Sequence, residues 1–289
     1  MKMQLKTILA VTATAVAVSA LWNLDQATTE AQTDQSGSDI PRTPTGKPDF
    51  NGIWQAMNSA YWDLEPHEAR HGPLLALEAG AFLAVPPGMG VVEGGEIPYK
   101  DGMRARQVEN KQNWLERDPV RECKLPGVPR ATYMPYPFQI FQAPDATLIT
   151  YQFAGADRIV HMDANVEAQV DSWMGTNNGS WDGDTLVIDV TGQIADTWFD
   201  RSGNYHSGWE MHVQERYTMI DANTIDYSAT IDDPLTYERP WTINMKLYRH
   251  QDENMELLEF KCVEFVEELR YGDLRAPGSE RGDGVTPIF

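Results

Sequence analysis

The chain has 289 residues, and its 43 acidic side chains outnumber 23 basic ones, which gives a formal net charge of −20. Such a surface repels phosphate groups, whereas attraction to phosphates supplies a large share of nucleic-acid affinity. Nucleic acids and anionic membranes are therefore excluded as preferred partners. The simplest role of the acidity is to keep the protein in solution.

The first 31 residues predict a secretory signal peptide. Lys2 and Lys6 precede an apolar stretch over residues 7–22, and acceptable cleavage positions occur after Ala20 and after Ala31. An uncleaved membrane anchor is the alternative, but a spanning helix needs about twenty predominantly apolar residues. The mature chain is therefore expected in the periplasm or outside the cell, with no segment inserted in the membrane.

The sequence contains two cysteines, Cys123 and Cys262. In an oxidising compartment an isolated pair predicts a disulfide, and two buried free thiols are the alternative. Closing a loop of this length would stabilise the fold by roughly 4–5 kcal/mol, because the cross-link restricts the unfolded chain. Ligation of a metal by these cysteines is not expected, since no histidines have a matching spacing.

Glycine and proline content divides the rest of the chain. Residues 32–48 are polar and rich in small side chains, which predicts a flexible leader. A single β-rich domain is expected over 49–270, with an irregular, partly helical excursion over 61–130 and a C-terminal tail over 271–289. Prolines interrupt the excursion so often that only short helices fit. The best helical candidates are Leu74 to Leu83 and Met103 to Arg117.

Short segments of alternating polarity predict β-strands over most of the domain. Asp182-Gly183-Asp184 is a tight-turn signal, and the residues of Thr224 to Ile231 alternate between polar and apolar. An antiparallel meander avoids exposed edges by closing, which predicts a β-barrel, with a two-sheet sandwich as the alternative. The expected strands are Asp49 to Gln55, Phe138 to Gln142, Thr147 to Phe153, Arg158 to Met162, Thr185 to Val190, Met211 to Ile220, Thr224 to Ile231, Trp241 to Tyr248 and Met255 to Phe265.

Six segments are specific in combination, and they are Asp49 to Trp54, Cys123 to Arg130, Trp181 to Val190, His206 to Tyr217, Thr230 to Trp241 and Cys262 to Leu269. They resemble segments of a group of uncharacterised exported bacterial proteins. The resemblance covers nearly the whole mature chain and implies export, but it implies no reaction. The Gly52-x-Trp54 pattern ahead of a meander is also similar to the opening of lipocalin-type barrels.

Glu215 is the leading catalytic candidate, because it lies on the apolar face of a predicted strand. Burial disfavours the charged form of a carboxylate, which suits such a group to proton transfer near neutral pH. His206 and His212 are nearby in the sequence and complete a candidate acid–base group for lyase, isomerase or hydratase chemistry. A buried ion pair between Glu215 and Arg158 is the alternative interpretation.

Aromatic residues near predicted strand ends are candidates to line a cavity for a small hydrophobic or aromatic ligand. Arg158 would orient an anionic group of that ligand, and core packing is the alternative role of the aromatic residues. The sequence requires no cofactor or metal, because the six histidines lack a diagnostic spacing. A non-catalytic periplasmic binding or interaction protein is the alternative function. The candidate ligand-binding aromatic residues are Trp173, Trp198, Trp209 and Tyr217, and Trp181 and Trp241 have similar positions.

Overall fold

The computed structural model describes residues 40–72 and 84–263. Nine β-strands form a closed barrel in chain order, and the last strand pairs with the first. This architecture confirms the expected lipocalin-like barrel and not the two-sheet sandwich. The strands are β1 Gly52–Ala56, β2 Phe138–Gln142, β3 Ala146–Tyr151, β4 Asp157–Met162, β5 Thr176–Asp182, β6 Thr185–Thr191, β7 His212–Asp221, β8 Thr224–Asp232 and β9 Trp241–Arg249.

One neighbouring pair, β4 and β5, is parallel, and the other eight are antiparallel. A ring with an odd number of strands cannot alternate direction throughout, so one parallel pair is required. Residues 163–175 make the crossover that this pair needs. Strand β5 was not expected from the sequence, because Asn177, Asn178 and Gly179 disfavour strands when considered alone.

The expected strand over Met255 to Phe265 is wrong for its described part, since residues 255–263 contain no strand. Closure of the ring leaves no free edge for a further strand to join. The segment is held by the Cys123–Cys262 disulfide, which confirms the predicted pairing with a Cα–Cα distance of 5.5 Å. The ring of Phe260 lies 5.0 Å from that of Phe153.

The two ends of the barrel differ in the length of their connections. At one end, here called the turn end, β2–β3, β5–β6 and β7–β8 are joined by the short segments 143–145, 183–184 and 222–223. The opposite end, here called the cap end, carries the long connections from β1 to β2, from β6 to β7 and from β8 to β9. Their described residues together form the cap and are 57–72, 84–137, 192–211 and 233–240.

The described α-helices are short and belong to the cap. Helix α1 spans Met103–Gln112 and α2 spans Trp114–Arg117, which confirms the helical prediction for Met103 to Arg117. The candidate helix Leu74 to Leu83, the signal peptide and the C-terminal tail lie outside the described residues. Among the described residues, no helix combines the length and the apolar composition that crossing a bilayer requires. Single-turn 3₁₀ helices lie at Pro119–Glu122, Arg130–Tyr133 and Phe153–Gly155.

The inward faces of the strands form the core, as the alternation predicted. On β8, Ile225, Tyr227, Ala229 and Ile231 are buried, while the residues between them face outward or are half-buried. These side chains lie among aromatic and aliphatic residues from the other strands in one continuous cluster. The barrel interior is therefore a packed core along β8.

Gly52, Trp54 and Arg249 join the first and last strands at the turn end. The guanidinium of Arg249 lies 4.2 Å from the ring centroid of Trp54 and donates hydrogen bonds to the carbonyl oxygens of Asn51 and Ala222. Gly52 has a φ of +137°, and a Cβ there would collide with the Arg249 guanidinium. The Gly52-x-Trp54 pattern thus serves barrel closure.

Residues 40–48, the described part of the expected flexible leader, pack on the turn end instead. Arg42 and Pro48 form an antiparallel bridge. Arg42 also donates two hydrogen bonds to Asp184 in the β5–β6 turn, at 2.9 and 2.5 Å. The polar composition that predicted flexibility supplies the donors and acceptors for these contacts.

Candidate functional site

Glu215 lies on the inward face of β7 and is completely buried beside Arg158 of β4. Arg158 donates to one carboxylate oxygen at 2.5 Å, and the hydroxyls of Tyr217 and Tyr227 donate to the other at 3.0 and 2.7 Å. Because Glu215, Tyr217 and Tyr227 have no exposed surface, no water-sized space touches them. These are the contacts that the ion-pair alternative predicted.

The two tyrosines are fixed as hydrogen-bond donors. Burial, reinforced by the negative charge of Glu215, raises the pKa of both Tyr217 and Tyr227 well above the ordinary value. Their hydroxyls therefore keep their protons over the physiological pH range. Asn177 accepts a further hydrogen bond from Arg158 at 3.0 Å, so the network spans β4, β5, β7 and β8.

The two candidate histidines do not contact Glu215 in the described structure. His206 is buried in the cap, where Nε2 lies 2.7 Å from the hydroxyl of Thr197, and burial lowers its pKa to about 4. His212 is three residues from Glu215 on β7, so strand alternation directs it to the outer face. There its Nε2 lies 2.9 Å from Asp189. The structure does not assemble the predicted acid–base group.

The predicted ligand-binding residues are also dispersed. Arg158, Tyr217 and Trp198 belong to the buried core, whereas Trp173 and Trp209 are 37% and 66% exposed. None of these five residues lines the pocket described below.

The cap contains a pair of buried carboxylates that sequence reasoning missed. Asp200 accepts hydrogen bonds from the backbone amide of Leu64 at 2.8 Å and the side chain of Asn204 at 2.7 Å. Burial, together with the charge of Asp63, raises the pKa of Asp200 to about 7. Asp63 itself accepts a hydrogen bond from Lys111 at 2.7 Å. No short motif marks this pair, because residues far apart in sequence build it.

A pocket of about 420 Å³ opens at the turn end. It lies between the segment before β1, the β2–β3 turn and the ends of β4 and β5. A concave site with an aromatic wall and a few convergent polar groups is typical of small-molecule binding. Its apolar wall consists of Trp181, Pro44, Ala143 and Pro144, and its polar lining consists of Arg42, Thr43, Thr45, Lys47, Asp49, Asn51, Gln142 and Asp163.

The cations of the pocket have different partners. Arg42 forms its two hydrogen bonds with Asp184 and holds the pKa of that carboxyl below its ordinary value. The Lys47 ammonium lies 5.1 Å from the ring centroid of Trp181 and donates to the carbonyl oxygen of Gly183 at 3.0 Å. Trp181 also stacks with Phe50, with ring centroids 6.1 Å apart. The indole is thus held in place beneath a positive charge.

Asp163, the first residue after β4, has an unusual backbone conformation. Its φ is +50°, in the left-handed region that favours glycine, and its amide donates to the carbonyl oxygen of Gly179 at 2.8 Å. Within the described residues, its exposed carboxylate has no hydrogen bond or ion pair. Residues in strained conformations cluster at functional sites. The pocket therefore keeps a free carboxylate where glycine would be less strained.

Sequence reasoning found only one component of this pocket. Trp181 was among the aromatic residues near strand ends, beside the correctly predicted turn at Gly183. The other residues come from the supposed flexible leader and from turns, so their polarity gave no sign that they converge. The pairing of Arg42 with Asp184 is a contact between residues distant in sequence.

The chain matches no protein-family model and no curated protein.

Proposed function

We propose that this chain is an exported binding protein that takes one small hydrophobic or aromatic molecule in the turn-end pocket. The position of Trp181 carries the proposal, because its indole forms the aromatic wall of a concave site at a barrel mouth. A volume of about 420 Å³ suits a compact ligand. Ring stacking on the indole would supply affinity, and the polar rim would set orientation.

Binding is favoured over catalysis because the candidate catalytic residues are separated. Glu215 is enclosed by Arg158 and two tyrosines, and His212 lies on the outer face of the barrel. An acid–base step needs a proton donor or acceptor within hydrogen-bond reach of the substrate. The lining of the turn-end pocket includes neither Glu215 nor the two candidate histidines, so the pocket supports recognition without the acid–base group that the sequence predicted.

Export is part of the proposal, and two features are consistent with it. The signal-like residues 1–31 precede the barrel in the sequence, and Cys123 and Cys262 form a disulfide. Disulfides persist in oxidising compartments such as the periplasm. A purified mature chain should therefore keep this bond without added oxidant.

The test is a titration of the ¹⁵N-labelled mature chain with indole and with benzyl alcohol, followed by amide chemical shifts. Shifts are expected to concentrate at residues 42–51, 142–144 and 181. Trp181→Ala should weaken binding by about tenfold, since an aromatic stacking partner is lost. Trp209→Ala is the matched control, because Trp209 is exposed outside this pocket.

Three results would overturn the proposed function. One is binding that is lost in Trp209→Ala but retained in Trp181→Ala. The other is a set of ligand-induced shifts confined to the cap end. The third is that no small aromatic or hydrophobic probe binds.

A further inference from the structure

Lys47 already places a positive charge over the aromatic wall of the pocket. Its ammonium lies 5.1 Å from the ring centroid of Trp181, within the range of cation–π attraction. The same ammonium hydrogen-bonds to the carbonyl oxygen of Gly183 at 3.0 Å. The face of Trp181 and the Gly183 carbonyl thus form a place that accepts an ammonium group.

We propose that the ligand of this pocket is a small organic cation, a protonated amine or a quaternary ammonium, which replaces the Lys47 ammonium over Trp181. This inference rests on the proposed function, because it names the ligand class of the same site. Lys47 then acts as an internal competitor that occupies the site until the ligand arrives.

The charges around the pocket favour a cation over an anion. Arg42 is neutralised by its two hydrogen bonds to Asp184, so it offers little attraction to an anionic ligand. Asp49 and Asp163 both line the pocket, and Asp163 has no partner within the described residues. An anion would approach both carboxylates, whereas a cation that replaces Lys47 preserves the local charge balance.

Lys47 is suited to displacement. Its side chain is half-exposed, and Gly183 is its one hydrogen-bond partner in the described structure. A lysine ammonium is compact and strongly hydrated, so water solvates it readily once it leaves. A quaternary or aromatic ammonium is less hydrated and gains more from contact with an indole and two prolines. The exchange therefore favours a hydrophobic cation.

The experiment compares a cation with its uncharged isostere. Calorimetric titration of the mature chain uses choline, its neutral isostere 3,3-dimethyl-1-butanol, and benzyl alcohol as the probe of the proposed function. Choline is expected to bind about threefold to tenfold more tightly than the isostere, as cation–π attraction predicts. Added salt should weaken the choline complex and leave the isostere unaffected.

Variants of Lys47 test the exchange itself. Lys47→Met removes the competing charge, so choline should bind several-fold more tightly than to the unmodified chain. Lys47→Arg keeps a cation over Trp181 and should show the weaker affinity of the unmodified chain. Weaker choline binding in Lys47→Met would overturn the inference.

Asp163 tests the electrostatic contribution. Asp163→Asn should weaken choline binding about threefold, since one nearby negative charge is lost at the surface. Asp157→Asn is the matched control, because Asp157 is exposed at the opposite end of β4. Equal effects of the two variants would contradict a local role for Asp163.

The outcomes separate this inference from the proposed function. If choline and its isostere bind equally and benzyl alcohol still requires Trp181, the cation inference fails and the binding function stands. If none of the three probes binds, both fail.

Discussion

The two ends of the barrel have opposite designs. The cap end carries the long connections, the disulfide and a buried carboxylate pair, and Arg158 and Glu215 lie in the adjoining half of the barrel. The turn end carries short hairpins, an open pocket and the strained Asp163. Stability and recognition thus depend on different residues, which permits each to be altered separately.

Removal of the disulfide should have the largest effect. The cysteines are 139 residues apart, and the chain-entropy model gives a loss of about 4–5 kcal/mol for Cys123→Ser combined with Cys262→Ser. Urea unfolding of the mature chain measures this loss. Binding at the turn-end pocket should persist in the folded variant, and its disappearance would contradict the separation of the two ends.

Breaking the buried ion pair should cost nearly as much. Glu215→Gln leaves the Arg158 charge without its counter-charge, and removing one partner of a buried pair costs about 3–5 kcal/mol. The control combines Arg158→Met with Glu215→Leu, which removes both charges and should cost less. The proposed structural role would be untenable if the single variant matched the unmodified chain in urea.

Asp200 should make the fold less stable as pH rises. Its folded pKa is about 7, above the ordinary value of 3.8, so the folded state holds a proton that the unfolded state has released. The free energy of unfolding then falls between about pH 4 and 7, with a limiting slope near 1.4 kcal/mol per pH unit. Asp200→Asn should remove this slope, which denaturation at several pH values will show. An unchanged slope in Asp200→Asn would refute the assignment of the raised pKa to Asp200.

His206 should act in the opposite direction. Its folded pKa is about 4, below the ordinary value of 6.5, so the unfolded state binds a proton first as pH falls. As pH falls from 6.5 to 4, protonation of His206 in the unfolded state lowers the free energy of unfolding by about 3 kcal/mol. Because His206→Gln removes this titrating group, the variant should lose less stability than the unmodified chain as pH falls over this range. Parallel pH curves for the two proteins would exclude this role.

Asp163→Gly should produce the smallest change, and it tests the turn end directly. Glycine adopts a positive φ without strain, so stability should rise by up to about 1 kcal/mol. Choline binding should weaken at the same time, because the free carboxylate is lost. A thermal melt and a titration of the same sample measure both effects. A variant that is more stable and binds equally well would remove Asp163 from the site.

The sequence predicted the regular part of the fold well. Strands β7, β8 and β9 have strict alternation, long runs and clear turn signals at Ala222 and Asn223, so local pattern determines them. Strand β5 lacks such a pattern and forms because two neighbouring strands pair with it. The apolar residues of 255–263 gave a false strand, since periodicity cannot show that the ring is already closed.

The site was less predictable for a related reason. The alternation of polar and apolar residues on β7 predicted that Glu215 is buried. The observed contacts match the ion pair with Arg158, which was the alternative interpretation of this residue. The pocket depends on residues from the leader and the turns, where no periodicity exists. The net charge of −20 by itself favoured no cationic ligand. The contact between Lys47 and Trp181, together with the carboxylates of Asp49 and Asp163 in the pocket lining, points to one.

The odd number of strands has a consequence for where a site can form. A ring of eight or ten alternating strands would join β4 to its neighbour through a tight hairpin at the turn end. With nine strands, the chain leaves β4 at Asp163 and travels the length of the wall before it enters β5. The parallel pairing of β4 and β5 thus frees Asp163 from hairpin geometry and leaves it in the pocket lining with Trp181.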